Sequence, residues 1–436
     1  MFYDSESAQN HPNDSDEEAP DGGDNCEIFD HESNTMYQST STFEDHNLKP
    51  ELIAACYSLG FQRPSGVQEF CLKAFDKGSP SLVIQSQNGT GKTLSFLLPI
   101  VQRIDPSILS PQCIIVCPTL ELAQQTVKIA RDLCSKIPEI QIQEVSIMVN
   151  LIGKNVTEQI VIGSPGRLHN SLRRNDLPLE HIKFLVFDEA DSLFDMQGNI
   201  DIGTKIAFYM TKRNPNIVTC FCSATYNDRT NSVIDILLPE YKCLRVKTPH
   251  LALENIKQYV ARCHDRNSKF QALLYMCSMC SIPSSIVFCN TKASADWIQK
   301  KLEESGRQTG VLHGGQTDEQ RSDVVKRFKN SEFKVLISTN LISRGLDVPA
   351  VSMVVNYDPP LIHSDQIDKE PDFRTYLHRI GRCGRFGKYG ITLNLVDSDK
   401  EFGIVKKFAE HFQHEIEPLD FSNTEHLDQL MAIHGS

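Results

Sequence analysis

Short apolar runs recur along most of this chain, and longer stretches of helical spacing separate them. Seven occupy the first half: SLVIQS, CIIVCPT, QEVSIMV, QIVIGSP, FLVFDEAD, IVTCFCSAT and KCLRVKT. After a pause at KTPHLALEN the pattern restarts with IKQYVARC, SSIVFCN, TGVLHG, KVLISTN, VSMVVNYD and GITLNLVD. Near-continuous Val/Ile/Leu/Phe strands alternating with helices are the mark of a parallel sheet covered on both faces. The pause divides the series into two such units. The expected fold class is therefore α/β, with two tandem domains spanning 43–248 and 249–436. A chain of 436 residues is long enough for both.

Charge sets residues 1–42 apart. Positions 1–45 hold thirteen Asp or Glu and no Lys or Arg, while the remainder holds 43 acids and 44 bases. The acidic stretch is too polar to bury a core, so a solvated, disordered tail is expected, with a short helix near 27–37 as a possible docking element. In a nearly neutral body, any surface for a polyanion must be a local basic patch. No apolar run approaches the length of a membrane span, and no secretory leader is visible, so no membrane insertion is expected. Several of the 14 cysteines lie inside apolar runs, which suits buried free thiols in a reducing compartment, cytosol or nucleus. Cys277 and Cys280 make one C-x-x-C without a second pair, so a zinc site is not expected.

Two segments carry nucleotide chemistry. In SLVIQSQNGTGKT a strand enters a Gly-rich turn and then a stretch of helical spacing. Backbone N–H groups of such a turn cradle phosphates, Lys92 would reach the β- and γ-phosphates, and the Thr93 hydroxyl would ligate Mg2+. The phosphate-loop candidates are Ser86, Gln87, Asn88, Gly89, Thr90, Gly91, Lys92 and Thr93, with Ser86 where a first glycine is usual. A glycine turn that merely caps a helix would not need Lys and Thr directly after it. In FLVFDEAD an apolar strand ends in Asp188 and Glu189, the end of a parallel sheet where ligands bind. Asp188 would hold Mg2+, and Glu189 would orient or deprotonate the attacking water. An acid capping the next helix would explain one of them, not the run.

Far along the chain, TYLHRIGRCGRFGKYG supplies His378, Arg379, Arg382 and Arg385. Two arginines three residues apart on one helical face expect a dense anionic partner. DEAD, SAT and HRIGRCGR in this order resemble the motifs of the DEAD-box RNA helicases, and the resemblance covers about residues 43–420. It implies two RecA-like domains that bind ATP mainly on the first and RNA across both. GFQRPSGVQ is similar to the family's Q motif, which assigns Gln68 to the adenine edge and Phe61 to the ring face, with Phe43 as the upstream aromatic. Arg382 and Arg385 become arginine fingers, with Glu189 and Lys92 the other catalytic groups. Asp347 would bind the ribose, and Ser223, Thr225, His378 and Arg379 would couple hydrolysis to domain closure.

The same resemblance assigns RNA contacts to Pro118, Thr119, Glu121, Ser164, Pro165, Gly166, Arg167, Arg321 and Thr339. Such contacts fall mainly on phosphate and sugar, so sequence-independent binding to single strands or short duplexes is expected. Here the chain departs from the family pattern. Leu120 replaces an Arg, Asp318 stands where Gln is usual, Asn340 takes the place of an Asp, and VNLIGKN has only Gly153 for a Gly-Gly pair. The polar insertion LIHSDQIDKEPDFR, with RPSGVQE and the late EHFQHEIEPLD, looks most like the mRNA-export branch of the family. That branch implies a nucleoporin and an inositol-hexakisphosphate-bound activator as partners, an N-terminal extension able to restrain the ATPase, and a place at the cytoplasmic face of the nuclear pore. The expected activity is RNA-dependent ATP hydrolysis by a monomer, coupled to local unwinding or protein displacement. The alternatives are a slowly hydrolysing ATP-gated RNA clamp and a P-loop ATPase unrelated to RNA.

Overall fold

The computed structural model describes residues 26–29, 39, 41–75, 81–86, 91–146, 151–195, 199–226, 228–246, 256–278, 284–340, 351–362, 370–383 and 389–421. Two wholly parallel sheets organise them. The strands of the first are β1 (Cys26–Phe29), β2 (Ser81–Gln85), β3 (Cys113–Val116), β4 (Ile142–Val145), β5 (Ile160–Gly163), β6 (Phe184–Asp188), β7 (Val218–Ser223) and β8 (Tyr241–Val246). They lie in the order β1-β8-β2-β7-β6-β3-β5-β4. The second sheet contains β9 (Ile256–Arg262), β10 (Ser285–Phe288), β11 (Thr309–Leu312), β12 (Val335–Ser338), β13 (Met353–Asn356), β14 (Gly390–Val396) and β15 (Glu417–Pro418). Its order is β11-β12-β10-β13-β14-β9-β15. All of these strands except β1 and β15 fall on the apolar runs of the sequence.

The two additions are edge strands. β1 lies in the acidic tail, pairing Cys26 with Cys243 through to Phe29 with Val246. The sequence offers a solvated tail with a short helix near 27–37 as the alternative; over 26–29 the structure has a strand, and 30–37 lie outside the described residues. Cys-Glu-Ile-Phe has the composition of a strand, and the free edge of β8 offers it unpaired N–H and C=O groups. The rest of the tail and the expected domain boundary, inside 247–255, lie outside the described residues.

Sheet order brings the chemistry together. β2, β7 and β6 are neighbours, so Ser86, Ser223 and Asp188 emerge side by side at the carboxyl edge. β12, β10 and β13 are likewise neighbours, and there Asn340, Asn290 and Asn356 come together. Apolar packing fixes both edges. Phe187 stacks on Phe221 at 5.0 Å and meets Phe194 at 5.3 Å, just behind the acids. In the second domain Tyr376 stacks on Phe408 at 4.1 Å and donates its hydroxyl to Gln258 Oε1 at 2.6 Å. Each buried Phe contributes about 1.5–3 kcal/mol. Tyr376 thereby seats the helix Phe373–Ile380, which Asp372 caps through Thr375 N at 2.8 Å.

Candidate active site

In the first domain the phosphate loop begins at Ser86, which is fully buried and donates its N–H to Ser223 O at 3.1 Å. Its backbone is not in the left-handed region, so a glycine is not required there. The stringent position is Gly91, with φ +84°, where a Cβ would lie 2.5 Å from Gln68 Nε2. Gly91 opens the helix Lys92–Arg103, and Lys92 turns back to donate to Ser86 O at 2.7 Å. Gln68 forms a capping box with Ser65, accepting from Ser65 N at 3.0 Å, and its Nε2 faces Gly91 O at 3.5 Å. The Gln68 amide thus ties the start of the helix Gly66–Ala74 to Gly91 at the start of the helix Lys92–Arg103. Phe61 is half-buried against the core, and Phe43 is buried edge-on to Tyr57.

Three carboxylates face Lys92. Asp188 and Asp191 are buried, and Glu189 lies between them with φ +48°. A left-handed backbone costs a non-glycine residue on the order of 1–3 kcal/mol and is tolerated where its surroundings demand it. Here it lets Asp188 Oδ1 accept from Glu189 N at 3.0 Å. Burial pushes the Asp188 carboxyl up to about 6, against the pull of Lys92. Glu189 rises to about 8 through burial and its two acidic neighbours, while Arg382 and Lys92 oppose the shift. Glu189 Oε2 is buried with no hydrogen-bond partner. Such a concentration of unneutralised oxygen fits a divalent cation. No group of three His, Cys, Asp or Glu able to hold a metal unaided is present among the described residues. Mg2+ keeps several waters and takes one or two carboxylates plus phosphate oxygens, so Asp188 beside Lys92 would suffice on the protein's side.

Asp191 is the hub that the sequence reading passed over. Its Oδ2 accepts from Thr225 Oγ1 at 2.7 Å, its N–H faces Ser223 Oγ at 3.4 Å, and His378 Nε2 lies 3.7 Å from Oδ2. Burial raises its carboxyl, but His378, Arg374 and the two hydroxyls outweigh that and hold it below the usual range. Burial pulls the His378 imidazole below its usual range, while Asp191 opposes that shift. Arg374 Nη1 donates to the Asp191 carbonyl at 2.9 Å. His378 and Arg374 belong to the second domain, so these contacts cross the cleft. The carboxylate could have been found as the third acid of the DEAD run; Arg374 gave only one signal, an Arg one helical turn before His378.

Arg379 does not enter the cleft. It is fully buried, and its five N–H donors are all taken: Asn340 Oδ1 at 3.0 and 2.5 Å, Asn290 Oδ1 at 3.0 Å, Asn356 Oδ1 at 3.1 Å and Asp358 O at 2.7 Å. Asn340 therefore has a role in this chain as the principal acceptor of a buried guanidinium. Burial lowers that guanidinium to about 10.

On the expected RNA side, Glu121 Oε1 pairs with Arg321 Nη2 at 3.1 Å across the domains. Thr119 caps the helix Leu120–Leu133, Ser164 and Pro165 start the helix Pro165–Arg173, and Gly166 and exposed Arg167 lie in its first turn. Pro118 is buried just ahead of Thr119, and Thr339 N donates to Leu312 O at 3.2 Å. Leu120 opens its helix, and Asp318 opens the helix Asp318–Lys329. Gln87, Asn88, Gly89, Thr90, Asp347 and Arg385 lie outside the described residues.

The chain matches the DEAD/DEAH box helicase family over residues 65–233 and the helicase conserved C-terminal domain over residues 268–387. This protein is a DEAD-box RNA helicase. It is 37% identical to the ATP-dependent RNA helicase DDX19A of Homo sapiens, over 95% of this chain and 85% of that one. Among solved structures it resembles S. cerevisiae Dbp5 bound to RNA and ADP BeF3, with TM-score 0.84, 31% identity, and 91% of this chain and 100% of that chain covered. Against a single-residue variant of S. cerevisiae Dbp5 bound to Nup159, a Gle1 variant, IP6 and ADP, the TM-score is 0.66 at 31% identity, covering 89% and 99%. As a DEAD-box helicase the chain is an RNA-dependent ATPase on a pair of RecA-like domains. The cross-cleft contacts at Asp191 and Glu121 agree with the higher score for the RNA-bound form. Among the described residues no helix is long and apolar enough to cross a membrane.

Proposed function

We propose that the protein remodels RNA or ribonucleoprotein by closing its two domains around ATP, Mg2+ and RNA. The supporting observation is the convergence of Asp191, Thr225 and His378 across the cleft, which ties the acid run of one domain to the arginine helix of the other. Lys92 and the loop from Ser86 to Thr93 would bind the phosphates, and Gln68 and Phe61 the base. Asp188 and Thr93 would hold Mg2+, directly or through water; the ion supplies neutralisation of phosphate charge. Glu189 would accept a proton from the attacking water, in keeping with its raised affinity for a proton. Arg382 would stabilise the charge that develops on the γ-phosphate. Because both ligands favour the closed form, each tightens the other. Pro118, Thr119, Ser164, Gly166, Arg167 and Thr339 would track the RNA backbone, with Glu121 and Arg321 bracing the two halves.

The likeness to DDX19A and Dbp5 supports a role in mRNA export, in cytoplasm and nucleus and at the cytoplasmic face of the pore. A nucleoporin and an activator bound to inositol hexakisphosphate are the corresponding partners, and a monomer is the working unit. The test is steady-state ATP hydrolysis with and without single-stranded RNA. Strong stimulation by RNA, abolished by Glu189→Gln, is expected; equal rates without RNA would leave a P-loop ATPase of another kind. Hydrolysis too slow to measure beside tight ATP-dependent RNA binding would favour the clamp.

A further inference from the structure

We infer that Arg374 is a closure latch: a positioning residue that engages the first domain only when the cleft is shut. The inference rests on the closure reading above. Arg374 sits in the first turn of the helix Phe373–Ile380, one turn before His378, so both side chains lie on the same helical face. That face meets Asp191 of the other domain. His378 approaches the Asp191 carboxylate at 3.7 Å, and Arg374 Nη1 donates to the Asp191 backbone carbonyl at 2.9 Å.

The two contacts differ in kind. His378 meets the buried carboxylate of Asp191, whereas Arg374 meets its backbone carbonyl. Arg374 is permanently charged and only half-buried. It adds a fixed cation beside Asp191, next to the histidine. A carbonyl oxygen has two lone pairs, so it can accept from Arg374 as well as from its own helix. The same residue, through Thr225 and Ser223, reaches the strand beside the phosphate loop. A latch on Asp191 therefore reports closure to the nucleotide site without touching nucleotide. Because donor and acceptor belong to different domains, the bond is lost when the domains part, and removing it should leave each domain's fold intact.

The experiment is binding of a labelled short oligo(U) RNA to the full chain, with Mg2+ and a non-hydrolysable ATP analogue, for wild type, Arg374→Ala and Arg374→Lys. A charge-assisted bond made only in the closed form predicts roughly tenfold weaker analogue-dependent binding for Arg374→Ala. Arg374→Lys should recover part of it. The RNA concentration for half-maximal ATPase should rise more than the maximal rate falls, and the unliganded melting temperature should not change. Equal RNA affinity in wild type and Arg374→Ala overturns the latch. So does a lowered unliganded melting temperature that accounts for the binding loss, because Arg374 would then be holding its own domain together. If the wild type itself shows no analogue-dependent RNA binding, the closure reading fails first and takes the latch with it.

Discussion

Each domain gathers the ends of three adjacent parallel strands around one buried cation, and the two gatherings are built from opposite materials. In the first, the end of β6 brings carboxylates to Lys92 beside the ends of β2 and β7, with Glu189 in a left-handed backbone and its Oε2 unpartnered. In the second, β12, β10 and β13 bring neutral amides to Arg379, and every guanidinium donor is used. Buried polar groups normally find partners. A site whose bonds are closed therefore reads as architecture, and a site that keeps a buried carboxylate oxygen open reads as one that awaits ligand. The two meet at the end of the helix Phe373–Ile380: Arg379, in its last turn, faces inward to the cage, and Arg382, just past its end, acts on Glu189 across the cleft.

The sharpest way to break this contrast is to remove Arg379 and Arg382 one at a time. Arg382→Ala should reduce RNA-stimulated turnover by about 10³-fold or more, the scale of a lost arginine finger. Its melting temperature should stay near wild type. Arg379→Met should do the reverse as its primary effect. Stripping a buried cation from acceptors that then have no donor costs about 3 kcal/mol, read as a large fall in the melting temperature of the second domain. A stable Arg379→Met protein with only its turnover lost would put Arg379 among the reacting groups and end the distinction.

Much of this is legible in the sequence, and the boundary has a physical cause. Local signals carry the strands, the phosphate loop and the acid run, because each is a continuous segment whose chemistry does not depend on what lies opposite. The amide cage is not legible. Asn290, Asn340 and Asn356 are separated in the chain and meet only because β12, β10 and β13 happen to be neighbours. In the sequence Asn340 reads only as a departure from the family pattern; in the fold it completes the cage. Glu121 and Arg321 read separately as RNA contacts, and only the closed arrangement pairs them at 3.1 Å. β1 is hidden because Cys26 to Phe29, a four-residue stretch inside an acidic tail, has no pattern of its own until β8 offers an edge.

Asn340→Asp sharpens the comparison by giving the second gathering one of the first gathering's carboxylates. Burial has pulled the Arg379 guanidinium down to about 10. A charged acceptor in place of a neutral one should favour the cation and stabilise the second domain by about 1 kcal/mol. The check is chemical denaturation with an unchanged dependence on denaturant concentration. A destabilised variant would mean that the cage selects amides for their N–H donors, not merely their oxygens.

The smallest effect belongs to Ser86, at the strand end where the first gathering begins. A phosphate loop usually opens with glycine because the backbone must turn tightly or come close to the ligand. Neither applies to Ser86: its backbone avoids the left-handed region, and its N–H and C=O are already held by Ser223 O and Lys92 Nζ. Gly91, with φ +84° and Gln68 Nε2 against it, is where the constraint sits. Ser86→Gly should therefore leave the ATP concentration for half-maximal rate unchanged. It should lower stability by about 0.5–1 kcal/mol, because glycine loses more conformational freedom on folding. Tighter ATP binding by the glycine variant would show that the side chain restrains the loop, and would make Ser86 a functional departure instead of a silent one.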